Sequence, residues 1–203
     1  MKKCFLLLLL FIATVAHAQL NNSWIDYSKT YYKFKVGQAG VYRINQPLLA
    51  TLGLGNISSE QFQLWRNGVE VNLFTSQPSG TVLTSTDFIE FLGEKNDGKP
   101  DNNLYRDPNY QLSDSFSLFS DTSTYFLTIN PNGNNLRINS LDNNATNNTL
   151  DPDLYFMRKI RIPYNNRFNP GLGQYAGEYV YSSSYDMGEG YTSNDVNGGF
   201  DQS

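Results

Sequence analysis

The chain has 203 residues, 15 basic against 19 acidic for a net charge of −4, with 14% aromatic residues and only 17% charged ones. Such an acidic balance gives no general electrostatic attraction to nucleic acid or to anionic membranes. The length suits one large domain or one and a half smaller ones, and abundant Tyr and Phe among Gly, Asn, Ser and Thr favour many short strands over helices.

Lys2 and Lys3 form a positive start, residues 5–13 an apolar run, and Ala16-His17-Ala18 supplies small residues at the two positions a signal peptidase reads. This is a secretory signal, residues 1–18, with cleavage expected between Ala18 and Gln19. The apolar run is shorter than the roughly 20 residues of a membrane-spanning helix. Cys4 precedes that run, whereas a lipidated cysteine follows it. Cleavage leaves 13 basic and 19 acidic residues, a net charge of −6, and removes Cys4 and His17, the one cysteine and the one histidine. What remains can form no disulfide, no zinc site built on Cys or His and no Ser-His-Asp or Cys-His nucleophile. Only carboxylate, Lys or Tyr chemistry stays open to it.

Tyr32, Phe34 and Val36 alternate with Lys33 and Lys35, a Gly-bounded turn follows at 37–40, and residues 41–44 resume the strand pattern. Alternation on both sides of the turn predicts two strands paired with each other. Asn45-Gln46-Pro47 before LLATLG predicts a helix of about two turns, with Asn45 as cap, Pro47 in the first turn and Gly53 closing the end. Residues 62–74 predict a hairpin, FQLWR in and VEVNLF out, around Asn67-Gly68, which tolerates the positive φ of a type I′ turn. Residues 87–92 (DFIEFL) form a strand with Phe88 and Glu90 opposite Ile89 and Phe91. Residues 125–129 (YFLTI), apolar throughout, form a central strand.

Residues 130–151 are dense in Asn, Gly, Thr and Asp, with Leu136, Ile138 and Leu141 to bury. They predict a turn-rich connection with one short strand and a domain boundary near 150. Residues 154–162 (LYFMRKIRI) restart the strand pattern, 164–173 read as loop, and 177–181 as another strand. The last residues show no closing strand. The expectation is a β domain over 19–150 and the start of a second β-rich segment over 151–203, within a longer protein.

Asn96, Asp97 and Asp101 set oxygen atoms around a Gly turn, the donor type calcium takes. The spacing departs from an EF-hand, so the loop 93–105 reads as a polar turn. Glu70, Glu90, Glu178 and Glu189 are the carboxylates a glycosidase would need in pairs, and nothing in the sequence sets any two at a working separation. Tyr179, Tyr181, Tyr185 and Tyr191 offer either an aromatic sugar-binding face or ordinary sheet residues. Asn56, Asn144 and Asn147 begin glycosylation sequons. No catalytic, cofactor-binding or metal-ligating residue is assigned.

The ordered stretches SWIDYSKTYYKFKVGQAGVYRI, QPLLATLGL, FQLWRNG, DFIEFLGEKNDGKPDNNLYRDP and, later, GEGYTSND resemble the N-terminal region of the gingipain family of cysteine peptidases. The likeness is greatest to the sortase-like (PorU-type) members of the type IX secretion system of Bacteroidota, and it covers most of the chain after the signal. It implies export to the periplasm, outer membrane or cell surface. It also implies a β-rich region preceding a separate peptidase domain, whose His–Cys pair has no counterpart here. The partners so implied are that peptidase domain and cell-surface or secretion-system proteins. The fold expected is all-β, mainly antiparallel, a sandwich with one short helix. Its function is that of a non-catalytic module, with a free-standing glycan- or protein-binding module as the alternative.

Overall fold

Strands form where apolar and polar residues alternate with a period of two, because that period puts one face of a strand into a core. A computed structural model of the chain describes residues 22–141, 146, 151, 153–158, 160, 164, 166–171, 173–175, 178–180 and 185–194. The expected signal segment 1–18 and the sequons at Asn144 and Asn147 lie outside the described residues. In chain order come β1 (Tyr32–Val36), β2 (Gly40–Asn45), the helix α1 (Gln46–Thr51), β3 (Phe62–Arg66), β4 (Val69–Val71), β5 (Phe74–Thr75), β6 (Phe88–Gly93) and β7 (Ser123–Ile129). After these stand β8 (Arg167–Pro170), β9 (Gly173–Tyr175), β10 (Glu178–Val180) and β11 (Glu189–Thr192). Every pairing between these strands is antiparallel, so the fold is all-β as expected.

Two sheets, ordered β1-β7-β3-β4 and β2-β6-β5, share one core. Phe62, Leu64, Tyr125 and Leu127 enter it from the first sheet, Ile89 and Phe91 from the second. Aromatic rings tie the sheets together: Phe91 lies 5.2 Å from Tyr125, 5.8 Å from Phe34 and 5.6 Å from Tyr42. Each such side chain withdrawn from water contributes about 1.5–3 kcal/mol. The outer face of the four-stranded sheet is covered by residues 22–31. Trp24 sits 5.4 Å from both Trp65 and Phe126, and Thr128 Oγ1 donates to the Thr30 carbonyl at 2.8 Å.

Several expectations hold in detail. Asn67 and Gly68 adopt φ of 50° and 77°, as a type I′ hairpin demands, and β3 pairs with β4. Ile89 and Phe91 are buried, and β7 lies between β1 and β3. Helix α1 ends at Gly53, whose φ is 79° and whose N–H reaches the Ala50 carbonyl at 3.0 Å.

Other expectations are corrected. β1 and β2 do not pair with each other; β1 pairs with β7 and β2 with β6. The Gly-bounded turn carries the chain from one sheet to the other, which places Phe34 and Tyr42 on facing walls of the core. The run 69–74 also divides, β4 joining one sheet and β5 the other. Asn45 stands at the helix N-terminus without a side-chain cap bond, and the Gln46 N–H is satisfied instead by the Asp87 carbonyl at 2.9 Å. Leu136, Ile138 and Leu141 are exposed rather than buried. Arg137 turns inward between the first two, because the carbonyls of Ser59, Glu60 and Phe62 need a donor there. Its guanidinium reaches them at 3.0, 2.7 and 2.9 Å.

In the C-terminal part, residues 153–158 and 160 form no strand, contrary to the pattern reading; no neighbouring strand pairs with them among the described residues. The expected loop contains β8, and the end does carry a strand, β11, which pairs with β8. β10 falls within the strand expected at 177–181 and pairs with β9.

Candidate functional site

The loop 93–105 is held from the core outward. Arg66, on β3, donates to Glu94 Oε2 at 2.6 Å, to the Lys95 carbonyl at 2.9 Å and to Ser123 Oγ at 3.1 Å. Tyr125 Oη accepts the Glu94 N–H at 2.9 Å, and burial raises that phenol above its ordinary value. Beyond this anchor the polar atoms serve the loop itself. Asn96 Oδ1 accepts the Gly98 N–H at 3.1 Å, and Asp97 Oδ1 accepts the Lys99 N–H at 3.1 Å while Oδ2 lies 3.0 Å from Lys99 Nζ. The buried Asp101 accepts the Leu118 N–H at 3.0 Å. Gly98, at φ 78°, is required: a Cβ there would lie 2.0 Å from the Phe116 carbonyl oxygen. The three oxygen donors are thus spent on separate protein donors. Among the described residues no group of three acidic, His or Cys side chains is placed to hold a metal ion.

The carboxylates considered for glycoside chemistry are dispersed. Glu70, on the outer face of the first sheet, accepts from Gln63 Nε2 at 3.0 Å and from the Leu136 N–H at 2.7 Å. Glu90 lies on the outer face of the second sheet, 2.7 Å from Arg43 Nε, whose guanidinium carbon stands 3.6 Å over the Phe88 ring. Glu189 accepts the Asp186 N–H at 3.0 Å in the C-terminal hairpin. The side chain of Glu178 lies outside the described residues.

Of the four tyrosines, Tyr181 and the side chain of Tyr179 lie outside the described residues. Tyr191 and Phe168 form an exposed edge-to-face pair, 5.4 Å apart at 65°. Tyr185 does not face solvent as a binding platform. It packs edge-on against Tyr105 at 4.8 Å and tilted against Phe119 at 5.5 Å. Tyr105 also donates to the Glu189 carbonyl at 3.1 Å, so the β8–β11 hairpin rests on the loop that follows β6. Burial, reinforced by Glu189 and Asp101, pushes the Tyr105 phenol up to about 12; burial, with Asp101 and Glu189 nearby, raises Tyr185 too. The Tyr185 hydroxyl and the Trp65 indole N–H are buried without a hydrogen-bond partner. Asn56 is exposed in a turn.

Two features were not legible as sites. One is the run after residue 153: Leu154, Tyr155, Phe156 and Met157 are 98%, 78%, 86% and 91% exposed. A contiguous apolar run left in water marks an interaction surface in a folded protein. Its sequence signal, LYFM followed by RKIR, was indistinguishable from a buried strand. The other is a groove of about 750 Å³ between the β4 edge and β6, lined by Val69, Val71, Leu92 and Ile138, with Glu70, Glu94 and Asp97 among its polar groups. No helix among the described residues is long and apolar enough to cross a membrane. No family model, curated protein or solved structure matches this chain.

Proposed function

We propose that the chain is a non-catalytic β module that acts by surface contact with a peptidase domain, as the N-terminal region of a secreted, gingipain-like protein of the type IX sortase-like kind. The observation that carries the contact reading is the solvated run from Leu154 to Met157. Burying one such side chain against a partner contributes about 1.5–3 kcal/mol. Tyr155, Phe156 and Met157 are of the residue types that interface cores concentrate. The ordered sequence resemblance supports the choice of a peptidase domain as partner, and the signal pattern supports export.

The test is a photo-cross-linking residue at position 156 of the exported chain in its native cell. Cross-linked peptides joining position 156 to an α/β peptidase domain, within one polypeptide or between two, are expected by mass spectrometry. Absence of any cross-link from position 156 to a polypeptide segment would overturn the contact reading. N-terminal sequencing of the exported chain is expected to begin at Gln19.

The glycan-binding alternative draws on the exposed Phe168–Tyr191 pair. Glycan-array binding lost on Tyr191→Ala would favour it.

A further inference from the structure

We propose that the groove between β4 and β6 accepts residues 154–160 of a second copy of this chain, laid as an added strand along the free edge of β4. The inference rests on the contact reading above and names the partner that the same surface takes where the chain stands without a peptidase domain.

β4 is the terminal strand of its sheet, and no described strand pairs with its other edge. Beside it the two sheets leave the groove of about 750 Å³, where Val69 and Leu92 are exposed. An unpaired edge next to an apolar groove is a template for strand addition: the backbone pairs, and alternate side chains fill the groove. The run 154–160 supplies those alternate side chains. Leu154, Phe156, Arg158 and Ile160 share one face of an extended strand, and Tyr155 and Met157 the other.

Charge favours the same match. The chain without its signal carries −6, yet Arg158 and Lys159 fall in this run and Arg161 directly after it. The groove presents Glu70, Glu94 and Asp97 against Arg66 and Lys99. Glu94 and Asp97 are paired there with Arg66 and Lys99. Glu70 accepts only from the neutral Gln63 amide and the Leu136 N–H, so it is the carboxylate an incoming Arg158 meets on the groove-facing side.

Within one chain residues 154–158 and 160 stand exposed and the groove open, so reciprocal exchange between two copies would fill both grooves. That arrangement closes by a two-fold axis and uses the run and the groove of each copy once.

The test uses the chain from Gln19, which has no cysteine of its own. One preparation carries Val71→Cys and another Phe156→Cys, and the two are mixed with a short bis-maleimide. A cross-linked heterodimer is expected, with a dimer mass by light scattering. Phe156→Glu and Val69→Glu, both at exposed positions and so compatible with folding, are each expected to weaken dimerisation at least tenfold with an unchanged circular dichroism spectrum. A chain that stays monomeric at all concentrations overturns the inference. So does cross-linking confined to one chain in the Val71→Cys/Phe156→Cys double variant. If position 156 captures a peptidase domain while the bis-maleimide pair stays unlinked, the second-copy inference falls and the contact reading stands.

Discussion

Residues 32–141 and residues 151–194 are written in a similar alphabet of Tyr, Phe, Leu and Asn, yet they treat water differently. In the first region every strand has a partner on at least one side and the two sheets share one core, so Phe91, Tyr125 and Leu127 lose contact with solvent. In the second, the described strands form two-stranded ladders, and Leu154, Phe156 and Phe168 remain exposed. Isolated two-stranded ladders are marginal in water, whereas a sheet with a covered face is stable. The β8–β11 ladder rests on Tyr105, which donates to the Glu189 carbonyl and packs on Tyr185. The difference teaches that an apolar alternating run becomes a core strand only when a second surface arrives to cover it.

Breaking the first region should have the largest effect. Phe91 touches three rings from three strands, and Phe91→Ala should cost about 3–5 kcal/mol in urea unfolding. Arg137→Ala comes next. It strands the carbonyls of Ser59, Glu60 and Phe62 and should cost about 1–3 kcal/mol, with Arg137→Lys restoring only part because an ammonium lacks the planar fork. Gly98→Ala tests the join between the regions. The clash with the Phe116 carbonyl and the positive φ should cost upward of about 1 kcal/mol. Amide exchange should then rise in residues 95–121 and in the β8–β11 hairpin while β3, β6 and β7 stay protected.

A further contrast appears only in acid. The hydroxyl and N–H of Thr84, helped by Gln77 and Ser76, hold the Asp87 carboxyl at about 2, below its ordinary 3.8. Because the folded value is the lower one, the unfolded chain binds the proton more readily. The stabilisation is therefore complete above 3.8 and lost as the pH falls toward about 2. Urea midpoints should decline across that window, and Asp87→Asn should flatten the decline. The smallest effect belongs to the second region. At dilutions where the chain is monomeric, Phe156→Ser should move stability by less than about 0.5 kcal/mol, while reducing binding of a hydrophobic dye by the native chain.

Local signals were the legible part of the fold. Asn67-Gly68 is read from the φ values those two residues tolerate, and the inward set Ile89 and Phe91 from alternation alone. Arg137 was missed because alternation offers two faces, and the apolar neighbours Leu136 and Ile138 made the wrong face look inward. The decisive need, three carbonyls converging from residues 59–62, comes from a distant part of the chain. The groove between β4 and β6 was equally invisible, since its walls belong to segments some 20 residues apart that meet only when the sheets stack. The run at 154–160 was misread for the same reason, as strand burial requires a neighbour the run does not itself specify.

By itself, then, the sequence determined the all-β class, the positions of most strands, the hairpin turn and the absence of His and Cys after the signal pattern. These are properties of single residues or of a period within one segment. Tertiary structure alone decided that β1 and β2 part into different sheets, that β4 and β5 divide one run between them, and that Arg137 enters while its apolar neighbours stay out. The physical reason is that many strands here present interchangeable apolar faces. Which face meets which is settled by the joint packing of Phe34, Tyr42, Phe91 and Tyr125, and no single segment contains that contact.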